Sequence, residues 1–295
     1  MAHSHNHEDR ASPADSIRIA FFLNVVFTII EIVGGILTNS VAILSDALHD
    51  LGDSLAIGFS WYASKLGNKK STPRFSYGYK RLSLLAAFLN SAVLIGGSIF
   101  VISRAVPRLI QPEHVNVPGM FVIAIFGVLI NGWAVLKTRK GKTINEKVIS
   151  LHLLEDVLGW VAVLVVSIVM MIKDVHILDP ILSLVITLYV LWNAFGKLKE
   201  SLVIFLQGVP SSYDIAELEK KIISLGQIET VHDTHIWSLD GQHHILSTHI
   251  VVAPELSLTE VFQIKCRTKK FLNELEIDHV TIEMEQLTEV CEREE

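Results

Sequence analysis

Two stretches of this chain set ionisable side chains inside apolar sequence. The first is Ser45-Asp46-Ala47-Leu48-His49-Asp50-Leu51-Gly52-Asp53, and the second is Leu151-His152-Leu153-Leu154-Glu155-Asp156. Both contain His-x-x-x-Asp. On an α-helix, residues four apart share a face with their Cβ atoms roughly 5–6 Å from each other, so each pair can aim an imidazole nitrogen and a carboxylate oxygen at one point. Two such helices packed face to face would offer two nitrogens and two oxygens, a complete tetrahedral set for Zn²⁺. His49, Asp53, His152 and Asp156 are the ligands this predicts. Asp46 and Asp50 fall on the same helical face as His49 and Asp53 and would lie beside the ligands or on the ion's entry path.

The chemistry follows from charge. With both aspartates ionised and both imidazoles neutral, Zn²⁺ brings the site to zero net charge, while the empty site is −2 in a poorly solvated place. An empty site of that kind takes up protons, so metal and protons compete for the same lone pairs, and imidazole is the side chain that titrates near neutral pH. No thiolate is available in the apolar runs, which disfavours soft Cu(I). Two imidazoles disfavour Mg²⁺ and Ca²⁺, which prefer oxygen shells. Zn²⁺ fits best, with Cd²⁺, Co²⁺ and Ni²⁺ as rivals. A plain helix contact for His49, with the acids at the membrane edge, would have to hold independently for both His-x-x-x-Asp pairs.

The elements that must position these residues are membrane helices. Half of the 295 residues are apolar, only 19% are charged and the mean hydropathy is +0.44, with the apolar residues bunched into long runs. Six runs lie at 17–38, 41–63, 82–106, 117–136, 150–172 and 176–196, each long enough to cross a ~30 Å hydrocarbon core as a helix. The first is too long for a signal-peptide core and lacks a cleavage site. Six crossings put both termini on one side. Lys65, Lys69, Lys70, Arg74, Lys80 and Arg81 after run two, and Lys137, Arg139, Lys140, Lys142 and Lys147 after run four, make that side the cytoplasm by the positive-inside rule. Arg104 and Arg108 dissent but are outnumbered. Gly34, Gly35, Gly52, Gly96, Gly97 and Gly132 suit close helix contacts. No basic surface for nucleic acid is present.

Beyond Gly208-Val209-Pro210 the composition turns polar. Helical spacing over 213–225, strands at 228–237 and 243–253 separated by the turn Asp240-Gly241, a helix at 257–273 and a closing strand with Val280, Ile282 and Met284 predict an αββαβ α+β domain with two helices on one side of a sheet. His232 and His249 fall on or beside neighbouring strands. Glu283 and Glu285 share one strand face. The two cysteines, Cys266 and Cys291, cannot form a disulfide framework and suit a reduced cytoplasmic setting. The expected layout is a His-bearing tail over 1–14 (His3, His5, His7), a six-helix transmembrane domain over 15–207, a cytoplasmic domain over 208–288 and a tail over 289–295.

The stretch Ser40 to Asp53, Phe75-Ser76-Tyr77-Gly78-Tyr79-Lys80-Arg81, His152 to Asp156, Asp179-Pro180-Ile181-Leu182-Ser183 and His232 to Leu239 together resemble the cation diffusion facilitator family, in particular its bacterial zinc/proton antiporters. The resemblance implies a homodimer with a metallochaperone-like, ferredoxin-like cytoplasmic domain, moving Zn²⁺ out of the cytosol against H⁺ by alternating access. The compact loops between the runs suit a bacterial inner membrane. The resemblance assigns the transport site to His49, Asp53, His152 and Asp156, and a cytoplasmic metal site to His232, His249 and Glu285. Tail thiols bind metal in some relatives, which makes Cys291 a further candidate donor here. A metal site that some members carry between helices two and three is not expected, because Phe75 and Tyr79 stand there. Two rivals differ in class. A membrane zinc enzyme would need an open coordination position that four protein ligands do not leave, and a metal sensor would not transport.

Overall fold

The computed structural model describes residues 13–67, 71–138 and 144–286; within these spans the side chains of 13–20, 23, 60–61, 63–65, 67, 137–138 and 144–152 lie outside the description. The histidine-bearing tail, Cys291 and most of the basic loop after run four therefore also fall outside it. The described residues form long helices α1 (Pro13–Thr38), α2 (Val41–Gly67), α3 (Arg81–Ile110), α4 (Val117–Thr138), α5 (Ile144–Ile172) and α6 (Leu178–Phe205), followed by α7 (Ile215–Ile223), β1 (Thr230–Ser238), β2 (His244–Val252), α8 (Leu258–Glu274) and β3 (Ile277–Gln286). The chain divides into two compact units. One is built on residues up to Lys65 and on Ala86–Leu198; the other takes Leu66–Leu85 together with Lys199 onward.

In the first unit the expectation of six crossings meets a difference. Among the described residues, four stretches are long and apolar enough to span a membrane: Arg81–Ile110, Val117–Leu136, Leu153–Ile172 and Leu178–Phe205. The described apolar part of α1, Asn24–Thr38, is shorter. α2 is long enough, but Asp46, His49, Asp50 and Asp53 lower its hydropathy. The residues that make α2 chemically interesting are the ones that dilute its membrane signal. Large apolar side chains face outward along the unit, among them Ile36, Leu37, Phe126, Leu129, Ile172 and Trp192, a surface suited to lipid.

Small residues let the helices approach, and buried polar pairs tie them. A Cβ at Gly34 would overlap Ile123 of α4, one at Gly52 would overlap Leu94 of α3, and one at Gly97 would overlap Leu48 of α2. Gly96 and Gly132 instead face open space, so the expectation of close contacts there is corrected: glycine marks a tight crossing only on the face turned to a neighbour. Gly127 of α4, by contrast, accommodates the fully buried indole of Trp160 on α5. The Oγ of Ser45 and Oγ1 of Thr187 lie 2.7 Å apart between α2 and α6. Asn24 of α1 donates to Ser54 Oγ at 3.0 Å and to the carbonyl of Asp50 at 3.2 Å. Arg108, which dissents from the charge rule, donates to the Asn39 carbonyl at 2.9 Å and Asn39 Oδ1 at 2.6 Å and pairs with Glu113 at 2.6 Å. Its charge is engaged in joining the ends of α1 and α3.

In the second unit the sheet order is β1-β2-β3, with β1 and β2 antiparallel and β2 and β3 parallel. A parallel neighbour requires a crossover, which α8 supplies. Asp214 caps α7 by accepting from Glu217 N, and Ser257 and Glu260 form a capping box at α8. Leu218 and Ile222 from α7, Ile264 and Leu272 from α8, and Ile236, Leu246, Ile250 and Ile282 from the sheet form one core. The αββαβ order agrees with the sequence reading. The other sheet face is left for polar side chains.

Candidate metal centres

The first candidate lies between α2 and α5. His49 Nε2 is 3.7 Å from Asp53 Oδ2, one helical turn along α2, and 3.8 Å from Asp156 Oδ1 on α5. Each of the three residues offers a ligand atom, and these atoms lie within 4.8 Å of one another. A metal with bonds of about 2.0–2.2 Å to nitrogen and oxygen fits ligand atoms at that separation. Gly159, one turn beyond Asp156, permits the approach: a Cβ there would sit 3.3 Å from Asp46 Oδ1. His152 lies in α5 four residues before Asp156, but its side chain is outside the described residues. Asp46 and Asp50 are both buried beside the cluster.

Two further residues belong to this region, Glu31, which the sequence reading passed over, and Asp179, which it quoted within a motif but gave no role. Glu31 of α1 is fully buried and lies beside Asp50 and Asp46. The signal was a lone carboxylate inside an apolar run, where ionisable residues face the bundle interior. Asp179, at the start of α6, is fully buried and receives hydrogen bonds from Ser40 Oγ at 2.5 Å, Val41 N at 2.8 Å and Ala42 N at 3.3 Å. It satisfies orphan donors at the N-terminus of α2. Nothing local in the sequence links it to that helix. Near the far ends of the helices, His176 pairs with Asp174 at 2.8 Å and packs at a tilt against His114, with ring centroids 4.5 Å apart.

The second candidate is on the helix-free face of the sheet. His232 and His249 are register partners across β1 and β2, with ring centroids 5.3 Å apart. Glu285 of β3 reaches both, with Oε1 2.5 Å from His249 Nδ1 and Oε2 3.4 Å from His232 Nε2. Ligand atoms of the three lie within 4.8 Å of one another. Asp233 and Glu283 add carboxylate oxygens 3.4 and 3.5 Å from His249 Nε2. Asp233 owes its place to a β-bulge. Register shifts between His232 and His235, and Asp233 adopts φ +47°, a left-handed conformation that Asp tolerates better than most residues. A hydrogen bond from His235, reinforced by His249 and His232, holds the Asp233 carboxyl below its ordinary range. It therefore stays anionic further into acid than an ordinary aspartate. Its charge is lost only as pH falls through that lowered value. His243 is turned instead to Asp240, and the Phe75 and Tyr79 rings pack against each other with centroids 5.0 Å apart.

A prediction attaches to this second cluster. In full-length protein carrying His49→Ala, equilibrium titration with Zn²⁺ is expected to detect a site that His249→Ala weakens on the order of 100-fold, one ligand's share of a zinc site. Identical titrations with and without His249 would reduce the cluster to surface hydrogen bonding.

Comparison with known proteins gives two family matches. Residues 17–206 match the model described as cation efflux transmembrane domain, and residues 210–287 match the cation efflux protein, cytoplasmic domain. A protein named zinc transporter ZitB from Escherichia coli (strain K12) is 33% identical over 97% of this chain and 93% of its own length. One named cadmium, cobalt and zinc/H(+)-K(+) antiporter, from Bacillus velezensis, is 34% identical over 97% of this chain and 92% of its own. The metal cation efflux system protein CzcD of Cupriavidus metallidurans is 33% identical over 97% and 90%.

Proposed function

Because this chain belongs to the cation efflux family of membrane transporters, we propose that it exports Zn²⁺ from the cytosol in exchange for protons by alternating access. His49, Asp53, His152 and Asp156 hold the ion. Asp46 and Asp50, with Glu31 behind them, line its approach. The observation that carries this reading is the meeting of His49 and Asp53 on α2 with Asp156 on α5, ligand atoms within 4.8 Å. Zn²⁺ neutralises two carboxylates there, and protons compete with it for the same lone pairs. Rocking of the helices presents the site to the opposite side, where protons displace the metal and reset the carrier.

All six helices α1–α6 cross the bilayer in this reading. The basic loops, both termini and the second unit face the cytoplasm, consistent with the family description of residues 210–287. The protein works as a homodimer, and its bacterial relatives favour a bacterial plasma membrane. The cytoplasmic cluster of His232, His249 and Glu285 binds Zn²⁺ as a resident ion. Two imidazoles favour zinc over all-oxygen cations, and the zinc-transporter name of one relative supports that choice. The Bacillus relative's name adds cadmium, cobalt and a proton–potassium exchange, so Cd²⁺ and Co²⁺ are the specific competitors.

Proteoliposomes test this directly. An imposed pH gradient is expected to drive Zn²⁺ accumulation against its own gradient, and a protonophore to collapse it to background. Zn²⁺ accumulation indifferent to the pH gradient would defeat proton coupling. Stronger uptake of Cd²⁺ or Co²⁺ in equimolar mixtures would defeat the assignment to zinc.

A further inference from the structure

Within the second unit, residues from the 74–81 segment together with Gln207, Trp237 and Leu239 line a half-open hollow of about 470 Å³, with Arg74, Lys80, Arg81 and Tyr77 among its walls. The segment that supplies the cations is ordered by its own bonds. Thr72 and Phe75 exchange backbone hydrogen bonds at 3.0 Å, Gly78 closes the turn at φ +73°, and Tyr77 packs edge-on against His279 of β3 with centroids 5.7 Å apart. Arg74 has its guanidinium carbon 5.9 Å from the centroid of the Phe75 ring. Among the described residues, no carboxylate pairs with Arg74, Lys80 or Arg81. Three cations thus border one hollow whose walls supply no compensating anion.

The cavity lies at the ends of spanning helices. Arg81 is the first residue of α3, and Gln207 follows the last residue of α6 by two. Next to these ends the surface is apolar and open: Leu85 is one turn along α3, Leu202 lies in the last turn of α6 and Leu206 just past it, all exposed. A ligand matching the whole feature carries a phosphate for the cations and hydrocarbon for the leucines. We infer that this cavity binds the headgroup of an anionic phospholipid, with Arg74, Lys80 and Arg81 on the phosphate, Tyr77 and Trp237 at the level of the interface, and the acyl chains beside Leu85 and Leu206. Basic pockets next to membrane helices recognise headgroups in this manner, and aromatic side chains favour that depth. The inference needs only that the chain spans a bilayer and is independent of the ion carried.

Native mass spectrometry of the full-length protein, released from bilayers of phosphatidylglycerol and phosphatidylcholine, tests it. Wild-type protein is expected to retain phosphatidylglycerol in preference to phosphatidylcholine. Arg74→Gln/Lys80→Gln/Arg81→Gln is expected to weaken that retention on the order of 100-fold, each charge contributing about fivefold. Arg74→Lys/Arg81→Lys keeps the charge and should keep the lipid. A control with the same charge change on α8, Lys265→Gln/Lys269→Gln/Lys270→Gln, should retain the lipid as wild type does. The single variant Arg74→Gln, at an exposed turn position, supplies the fivefold measurement if the triple variant does not fold. Equal retention by variants and wild type, or equal loss in the α8 control, overturns the proposal. Displacement of the lipid by millimolar inorganic phosphate or glycerol 3-phosphate also overturns it, because the site would then be one for soluble phosphates.

Discussion

Asp53→Ala is expected to abolish pH-driven Zn²⁺ uptake. A four-ligand zinc site is worth about 10–16 kcal/mol in apparent binding free energy at neutral pH, so one ligand carries about 2.5–4 kcal/mol. At 1.4 kcal/mol per factor of ten, Zn²⁺ affinity should fall roughly 100- to 1,000-fold. The carboxylate also supplies half of the negative charge that offsets the ion. Asp53→Asn, which keeps the shape and one oxygen but not the charge, should lie between wild type and alanine. His49→Ala and His152→Ala should match Asp53→Ala, and the second bears most on the geometry because His152 stands four residues before Asp156 on α5. The pH dependence has a defined sign. Metal binding releases protons, so acidification weakens binding by up to about tenfold per pH unit for each proton displaced. Zinc affinities measured at two pH values, in wild type and in each variant, check both claims. Uptake by Asp53→Ala within a few-fold of wild type would remove the α2–α5 cluster from the transport path.

Asp179→Ala should be nearly as damaging although Asp179 touches no candidate ligand. Its carboxylate receives Ser40 Oγ, Val41 N and Ala42 N, where α2 would otherwise begin with unsatisfied donors. Hydrogen bonds to a charged group contribute about 1.5–3 kcal/mol each, and a negative charge at a helix N-terminus adds a little more. Sharing one acceptor makes the three less than additive, so the variant is expected to lose about 3–5 kcal/mol. For a unit of this size that lowers the unfolding midpoint roughly 10 °C. His49 lies about two turns from Val41, so a loosened start of α2 also loosens the ligand pair. Asp179→Asn retains an acceptor and should recover part of the stability. Thermal unfolding of detergent-solubilised protein measures this. A midpoint unchanged in Asp179→Ala would mean that α2 is held by its other contacts alone.

Particular residues explain how far the chain could be read. The facing of His49 and Asp53 on α2 was legible because a four-residue spacing on a helix is a local property. The strands around His232, His249 and Glu285 were legible because alternation is also local. Glu31 was visible in principle as a lone acid in an apolar run. Asp179 was not, since its partners at Ser40, Val41 and Ala42 are far away in sequence. The divergent fates of Gly96 and Gly97 had no signature either, because adjacent glycines on a helix differ only in which neighbour they face. Asp233 reaches His249 only through a bulge that strict alternation does not foresee.

Residue order alone established the long apolar runs, the αββαβ order after them, and which side chains carry nitrogen and oxygen donors to one face of each element. Those features depend on hydropathy and on periods of two or 3.6 residues, which act within a few turns of chain. Folding in three dimensions supplied the partners: Asp156 beside His49, Glu31 beside Asp50, Asp179 at the head of α2, and Glu285 between two histidines. Apolar helices offer many equivalent faces to one another, so the choice among them rests on small-residue contacts and buried polar pairs that appear only when distant segments meet.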